Sequence, residues 1–459
     1  MAEGHRVISV HDEDGALTPE FVSAINDAIH QNDSVNLRQL SRGLHGADTA
    51  DLLELLRPDD RVVFIDLLGR TFDVTALTDV DETVRDHLIE ELPANKIASA
   101  IKKLDSDDAV YLLENLDEEE QQEILAKVPR AEREALRRSL DFEEDTAGRL
   151  MQSEFVAVPA FWSVGQTIDY MRVEEDLPNS FIEVFVVDAY FHLVGTVPIS
   201  RILRSSREAK IGDVMDEEQT IFHVDDDQED VAYKFEQYHL GSAGVVDSDE
   251  RLVGMITIDD VVDVIREEAE EDIARLAGLG DQELTDSVWQ TTRSRFVWLL
   301  MNLGTAILAS SVISLFDATI EQMVALAILM PIVASMGGNA GTQTMTVAVR
   351  ALATRDLSAV NAFRIIIRET SVGVINGLVF AIIMGLFAWW WFGSDGLGLV
   401  IGAAMVINMF VAALSGILIP LALDRLDVDP AVASSVFVTT VTDVVGFFAF
   451  LGLAAMFLL

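Results

Sequence analysis

The sequence predicts a multidomain membrane protein: an N-terminal α-solenoid-like helical domain, an α+β tandem repeat, a long amphipathic connecting helix and a five-helix all-α transmembrane domain. Three observations carry this. Apolar residues recur every 12 positions through the first 140 residues, a ten-residue pattern returns 59 positions later in mid-chain, and five stretches long enough to cross a bilayer follow residue 290. At about 100–200 residues per domain, 459 residues hold two to four such parts.

The first part follows from its period. Leu44, Leu56, Leu68, Val80, Leu92, Leu104, Leu116, Val128 and Leu140 form one row, and Leu88, Ala100, Leu112, Ile124 and Leu136 a second. Short helices separated by turns such as Leu92-Pro93, Leu104-Asp105, Leu116-Asp117 and Val128-Pro129 would stack, each burying its row against its neighbours. The turns are acidic, with Asp105, Asp107, Asp108 and Glu118 to Glu120.

In the second part, VVDAYFHLVG (186–195) answers VVDSDERLVG (245–254), and a Met follows a short polar lead in each copy, Met151 and Met215. Each copy reads strand, turn, strand, short helix, with Ser200 or Asp259 expected to cap the helix.

The third part, DDVVDVIREEAEEDIARLAGLG, places Val261, Ile265, Ala269, Ile273 and Leu276 in one apolar row and crowds carboxylates over the rest. Acids three and four apart on a helix repel, and only Arg266 and Arg275 offset them. The face is either simply solvated or bridged by divalent cations, which take oxygen ligands.

The spans are expected near 296–316, 323–353, 371–392, 397–423 and 431–459. Arg293, Arg295, Arg350, Arg355, Arg364 and Arg368 flank the first span and the second connection, whereas the first and third connections carry acids without a base. By the positive-inside bias, the first 290 residues are cytoplasmic and the C-terminus lies outside the cell membrane. The N-terminus, with His5, Arg6 and Asp12 to Asp14 and no apolar run, reads as lacking a signal peptide. An odd number of spans without an inverted repeat would need a homodimer to build a two-fold path.

Two spans contain residues that lipid disfavours. Pro331, Gly337, Gly338 and Gly341 surround Asn339, followed by Thr342, Gln343, Thr344 and Thr346. This segment is expected to break its helix and free carbonyls for an ion or its waters; the same glycines also fit a close-packing face. In the fifth span, Asp429 and Pro430 form a helix start, and Ser435, Thr439, Asp443 and Gly446 share one stripe. A carboxylate inside a span costs at least ~2.5 kcal/mol on insertion scales, so Asp443 faces either a wet path or a hydrogen-bonding partner.

Charge divides unequally. Of the net −44, −42 falls on residues 1–288 and −2 on the rest. Such acidity argues against nucleic acid and favours cationic partners, although the bulk also fits adaptation to a salty cytoplasm. Cysteine is absent, which excludes disulfides, thiolate zinc sites and thiol nucleophiles. No phosphate-binding loop, zinc-protease motif or nucleophile elbow is present, so nothing points to an enzyme.

On the two VVD…LVG patterns, the middle of the chain resembles a tandem pair of CBS domains, which implies ATP as a ligand or a regulatory hinge. The order of parts, with GGNAGTQ, RALATRDL and DPAVASSVFVTTVTDVVG, resembles the MgtE family of magnesium channels. The resemblance implies residues 1–140 as the acidic helical domain, 141–206 and 207–266 as the CBS copies, 267–292 as the connecting (plug) helix and linker, and 293–459 as the pore domain. It further implies a homodimeric Mg²⁺ channel that closes when cytoplasmic Mg²⁺ fills acidic sites between its N-terminal, CBS and connecting-helix parts. Carried over, Asp443 is the pore carboxylate, with Thr439 and Ser435 below it and Gly337, Gly338 and Asn339 lining the path. Asp260, Asp263, Glu268, Glu271 and Asp272 are the regulatory acids, and Asp107 their N-domain partner. The chain departs from the pattern at Ser435, where an asparagine is expected. Alternatives from the residues alone are a coupled secondary divalent-cation transporter, in which Asp443 titrates, and a membrane-tethered adenine-nucleotide sensor.

Overall fold

The computed structural model describes residues 9–174, 177–178, 180–276, 279, 288–357, 361–426 and 428–458. The chain divides into two compact units, Met1–Arg266 and Glu267–Leu459. His5 and Arg6 and most of the expected linker, residues 277–278 and 280–287, lie outside the described residues.

The first unit opens with α1 (Pro19–His30), α2 (Ser34–Leu40), α3 (Gly46–Leu55), α4 (Pro58–Leu68), α5 (Glu82–Glu91), α6 (Ala94–Ile101), α7 (Ser106–Tyr111), α8 (Glu118–Leu125) and α9 (Arg130–Leu140). From α3 onward the helices start 12 residues apart, except between α4 and α5, where two short 3₁₀ turns (Gly69–Thr71 and Val74–Leu77) fill the gap. The turns explain the period: a residue before proline is pushed out of the helical region, as Arg57 (ψ 149) and Leu92 (ψ 136) are. Both apolar rows enter one core. Leu56, Leu68, Val80, Leu92 and Val128 are buried with the whole second row, while Leu44, Leu104, Leu116 and Leu140 line its edge.

The tandem repeat follows: α10 (Ala147–Leu150), β1 (Ala157–Pro159), α11 (Val164–Val173), β2 (Glu183–Val187), β3 (Leu193–Pro198), α12 (Ile199–Arg204), α13 (Ile211–Val214), β4 (Ile221–His223), α14 (Gln228–Tyr238), β5 (Ser242–Val246) and β6 (Leu252–Thr257). Two sheets form, β1-β2-β3 and β4-β5-β6, each with one parallel and one antiparallel pair. The 59-residue offset extends to detail. Register breaks at Val186/Val187 and Val245/Val246, the hairpin tips place Phe191 and Glu250 at φ 70 and 62, and Asp188 and Asp247 each cap two tip amides.

The lead segments cross over between the two copies. The first lead joins the second sheet: the Gly148 N–H donates to the Val224 carbonyl at 2.9 Å, and the Gln152 N–H to the Met255 carbonyl at 2.8 Å. The second lead joins the first sheet, with the Gly212 N–H on the Ala160 carbonyl at 2.9 Å and the Asp216 N–H on the Thr196 carbonyl at 2.9 Å. Burial drives the exchange, because Met151 packs against Gly254 and Met215 against Gly195, where a Cβ would stand 2.5 Å and 2.8 Å from the respective sulfur.

α15 (Ile258–Leu276) leaves the second sheet as one 19-residue helix, and the division between units falls within it. Neither Ser200 nor Asp259 caps its helix: both sit in the first turn, since α12 starts after Pro198 and α15 follows directly on β6. The expected apolar row of α15 is only partly buried. Val261 and Val264 enter the core and Leu276 packs beside Ala431 and Val438, but Ile265 and Ile273 are exposed.

The second unit holds α16 (Val288–Ser314), α17 (Asp317–Gln322), α18 (Ala325–Ala353), α19 (Ala362–Phe392), α20 (Asp395–Asp424) and α21 (Pro430–Phe457). All but α17 are long and apolar enough to cross a membrane. α20 is the hub, packed against α18, α19 and α21. α18 runs unbroken through Pro331 and its glycines, so the expected break is absent. The glycines are sockets instead: Gly337 lies against Asn408, and a Cβ at Gly341 would stand 2.6 Å from Val438. Packing holds the helix across the one hydrogen bond that Pro331 cannot make.

Candidate functional site

The sequence-predicted residues fall into three places. The first is an acidic cluster in the first unit. Most turns of the solenoid, that before α6 excepted, start a helix with an acid near its N-terminus, where the free N–H groups favour negative charge. At α7 this puts Asp105, Asp107 and Asp108 together, opposite Asp259 and Asp260 at the start of α15. Asp107 shares a hydrogen bond with Asp260, and Thr257 Oγ1 donates to Asp260 Oδ2 at 2.6 Å. Burial pushes the Asp107 carboxyl well above the usual carboxylate range, and Asp260, Asp108 and Asp105 add to this. Burial, Asp260 and Asp105 raise Asp108 to about 7. Asp260 rises to about 6, chiefly by burial, against the Thr257 bond. Asp79 is also raised, by burial and then by Asp263, which is itself 3.3 Å from Arg266. Sequence reasoning picked Asp107, Asp260 and Asp263 but missed Asp79, Asp105, Asp108 and Asp259. Their signal was the acidic turn; which turn faces α15 depends on packing across 150 residues.

The second place is the distal half of α15. Glu271 pairs with Arg275, which also pairs with Asp429 at the start of α21. Burial, then Asp429 and Glu268, raises Asp272. Glu268, Glu271 and Asp272 thus lie together in the second unit. Among the described residues no three Asp, Glu or His side chains converge to clasp one metal ion.

The third place is the pair α18 and α21. Asp429 caps α21 through the Ala431 N–H at 2.7 Å, with Pro430 in the first turn. Above it, the Thr439 hydroxyl donates to the Ser435 carbonyl at 2.9 Å. Asp443 is half-buried and, among the described residues, has no hydrogen bond or ion pair. On α18, Gly337 is buried, whereas Asn339, Thr342, Gln343 and Thr346 are exposed and a Cβ at Gly338 would meet nothing. Ser335, Asn339, Thr342 and Thr346 follow helical spacing, so one polar face runs along a membrane-length helix. Lipid would leave such a face unsatisfied; protein or water must cover it. Sequence reasoning missed Asn408 on α20, fully buried between α18 and α21.

Five membrane-length helices, one with a polar face, joined in sequence to an acidic helical domain and a two-sheet tandem repeat, define a multi-span membrane protein with a large extramembrane half. A family profile described as divalent cation transporter matches residues 330–453, one described as the MgtE intracellular N domain matches 44–145, and a CBS domain profile matches 211–267. The magnesium transporter MgtE of Enterococcus faecalis is 34% identical over 319 residues, 70% of each chain. That of Thermus thermophilus is 30% identical over 468 residues, 96% of this chain and 99% of its own. A crystal structure of the cytosolic domain of the Mg²⁺ channel MgtE in complex with ATP aligns over 53% of this chain and 99% of that one, at 25% identity and TM-score 0.50. The chain belongs to the MgtE family.

Proposed function

We propose that the protein carries Mg²⁺ through the membrane as a homodimeric channel that cytoplasmic Mg²⁺ closes. The observation that carries the reading is the polar face of α18, exposed in a single chain, on a helix packed against α21, which carries the Asp443 stripe. A second copy facing it would enclose a wet path with one Asp443 from each protomer. Mg²⁺ loses its waters reluctantly, so the path suits the hydrated ion, drawn by the two carboxylates and held through water by the hydroxyl and amide side chains of α18. The N-terminal half is then cytoplasmic and the C-terminus outside, as the arginines around the second connection support.

Closure would use the acids. Asp107, Asp108 and Asp260 fit a divalent cation in charge and oxygen chemistry, held through its retained waters, as no tight clasp exists among the described residues. Bound there, Mg²⁺ supplies positive charge; unbound, the carboxylates repel one another and favour separation of α7 from the start of α15. Glu268, Glu271, Asp272 and Asp263 would act alike along α15. The ATP complex of the related cytosolic domain supports ATP as a ligand of the CBS pair, which calorimetric titration of the purified protein would test.

In proteoliposomes loaded with a Mg²⁺-sensitive dye, Asp443→Ala should reduce influx by at least about 100-fold, the scale of losing a carboxylate that acts on the passing charge. Uptake left intact would sink the assignment. Influx that requires a proton gradient would favour the coupled transporter instead.

A further inference from the structure

We propose that Asn408 is the positioning residue of the ion path, holding α18 and α21 at their working separation. It lies at the middle of α20 and is fully buried. Its Nδ2 donates to the Val333 carbonyl of α18 at 2.8 Å. The bond fixes the amide's orientation, since the opposite one would set two oxygens against each other. Oδ1 is buried without a partner, so the amide is retained there despite an unsatisfied acceptor. The side chain is wedged between two glycines. A Cβ at Gly446 would stand 2.7 Å from Nδ2, and one at Gly337 would be closer still. Gly337 adjoins the half-buried Gly338 and, beyond it, the exposed Asn339, and Gly446 lies one turn beyond Asp443 on the same stripe. One planar amide therefore sets the spacing between the two helices that carry every candidate path residue, from behind and without touching an ion. This rests on the proposed path.

The test uses Mg²⁺ influx, with Ca²⁺ and Ni²⁺ as competitors, and thermal unfolding of the purified full chain. Gly337→Ala should lower influx about tenfold or more, because displacements of an ångström at a recognition site cost on that scale. Asn408→Ala should alter the half-saturating Mg²⁺ concentration and weaken discrimination against the competitors. The double variant Gly337→Ala/Asn408→Ala should regain influx to within about threefold of the native protein, because the new methyl occupies the space the amide leaves. A double variant no better than Gly337→Ala overturns the proposal. So does an Asn408→Ala protein that unfolds at lower temperature but keeps native half-saturation and discrimination, which would mark a purely structural residue. Asp443→Ala run in parallel separates the two readings: influx retained there removes the path and this proposal with it, whereas influx lost there with native behaviour in Asn408→Ala overturns the role of Asn408 alone.

Discussion

Asp429 holds two partners with two oxygens: Oδ1 accepts from the Ala431 N–H and Oδ2 pairs with Arg275. The functions can be separated. Asp429→Asn keeps a capping oxygen and loses the charge, whereas Asp429→Ala loses both, so the alanine variant should be less stable than the asparagine one by about 1 kcal/mol in chemical unfolding. Arg275 occupies Glu271 and Asp429 as a divalent cation would, so under the proposed closure by Mg²⁺, Arg275→Ala should lower the Mg²⁺ concentration that half-closes the proposed channel, read from single-channel currents. A higher concentration would mean that Arg275 assists closure. At this scale the sequence exposed what is chemically out of place. Asp443 stands out because a carboxylate in an apolar helix needs a reason. Asn408 did not, because one amide in a span is an ordinary helix contact until its two flanking glycines are known to meet it.

Elements were legible where periodicity was strict. The twelve-residue rows located the solenoid helices, and the 59-residue echo located both hairpins, because burial imposes the same spacing on each copy. Glycine misled the reading of α18: its residues read as a break, yet a helix packed on two others uses Gly337 and Gly341 for close approach. The row on α15 misled as well, since helical spacing places apolar residues on one face without saying that anything covers Ile265 or Ile273. In the tandem repeat, Gly254→Ala would set a methyl 2.5 Å from Met151 Sδ and 2.9 Å from the Gln152 carbonyl. The sulfur can move but the backbone cannot easily, so a loss of about 1–3 kcal/mol is expected in thermal or chemical unfolding, with only part recovered by Met151→Ala.

For the whole molecule, the lopsided charge becomes a pH dependence. Asp108 near 7 and Asp260 near 6 keep their protons to higher pH in the folded chain than carboxyls do in the unfolded one, near 4. From about pH 4 to pH 7 the unfolded state therefore binds fewer protons, and stability falls as pH rises through that window. Without divalent cations the full chain should melt at a higher temperature at pH 5 than at pH 8, and excess Mg²⁺ should raise the melting temperature more at pH 8. A melting temperature indifferent to pH, or equally raised by Mg²⁺ at both values, would remove the cluster from the account. The crossed leads of the CBS pair have a consequence for how the chain can be divided. Each sheet is completed by a segment encoded beside the other, Met151 on Gly254 and Met215 on Gly195. A break in the backbone between 205 and 210 would leave two fragments, each holding a piece the other lacks. They would be expected to recover their fold by complementation, as a reassembled pair, rather than as two free domains.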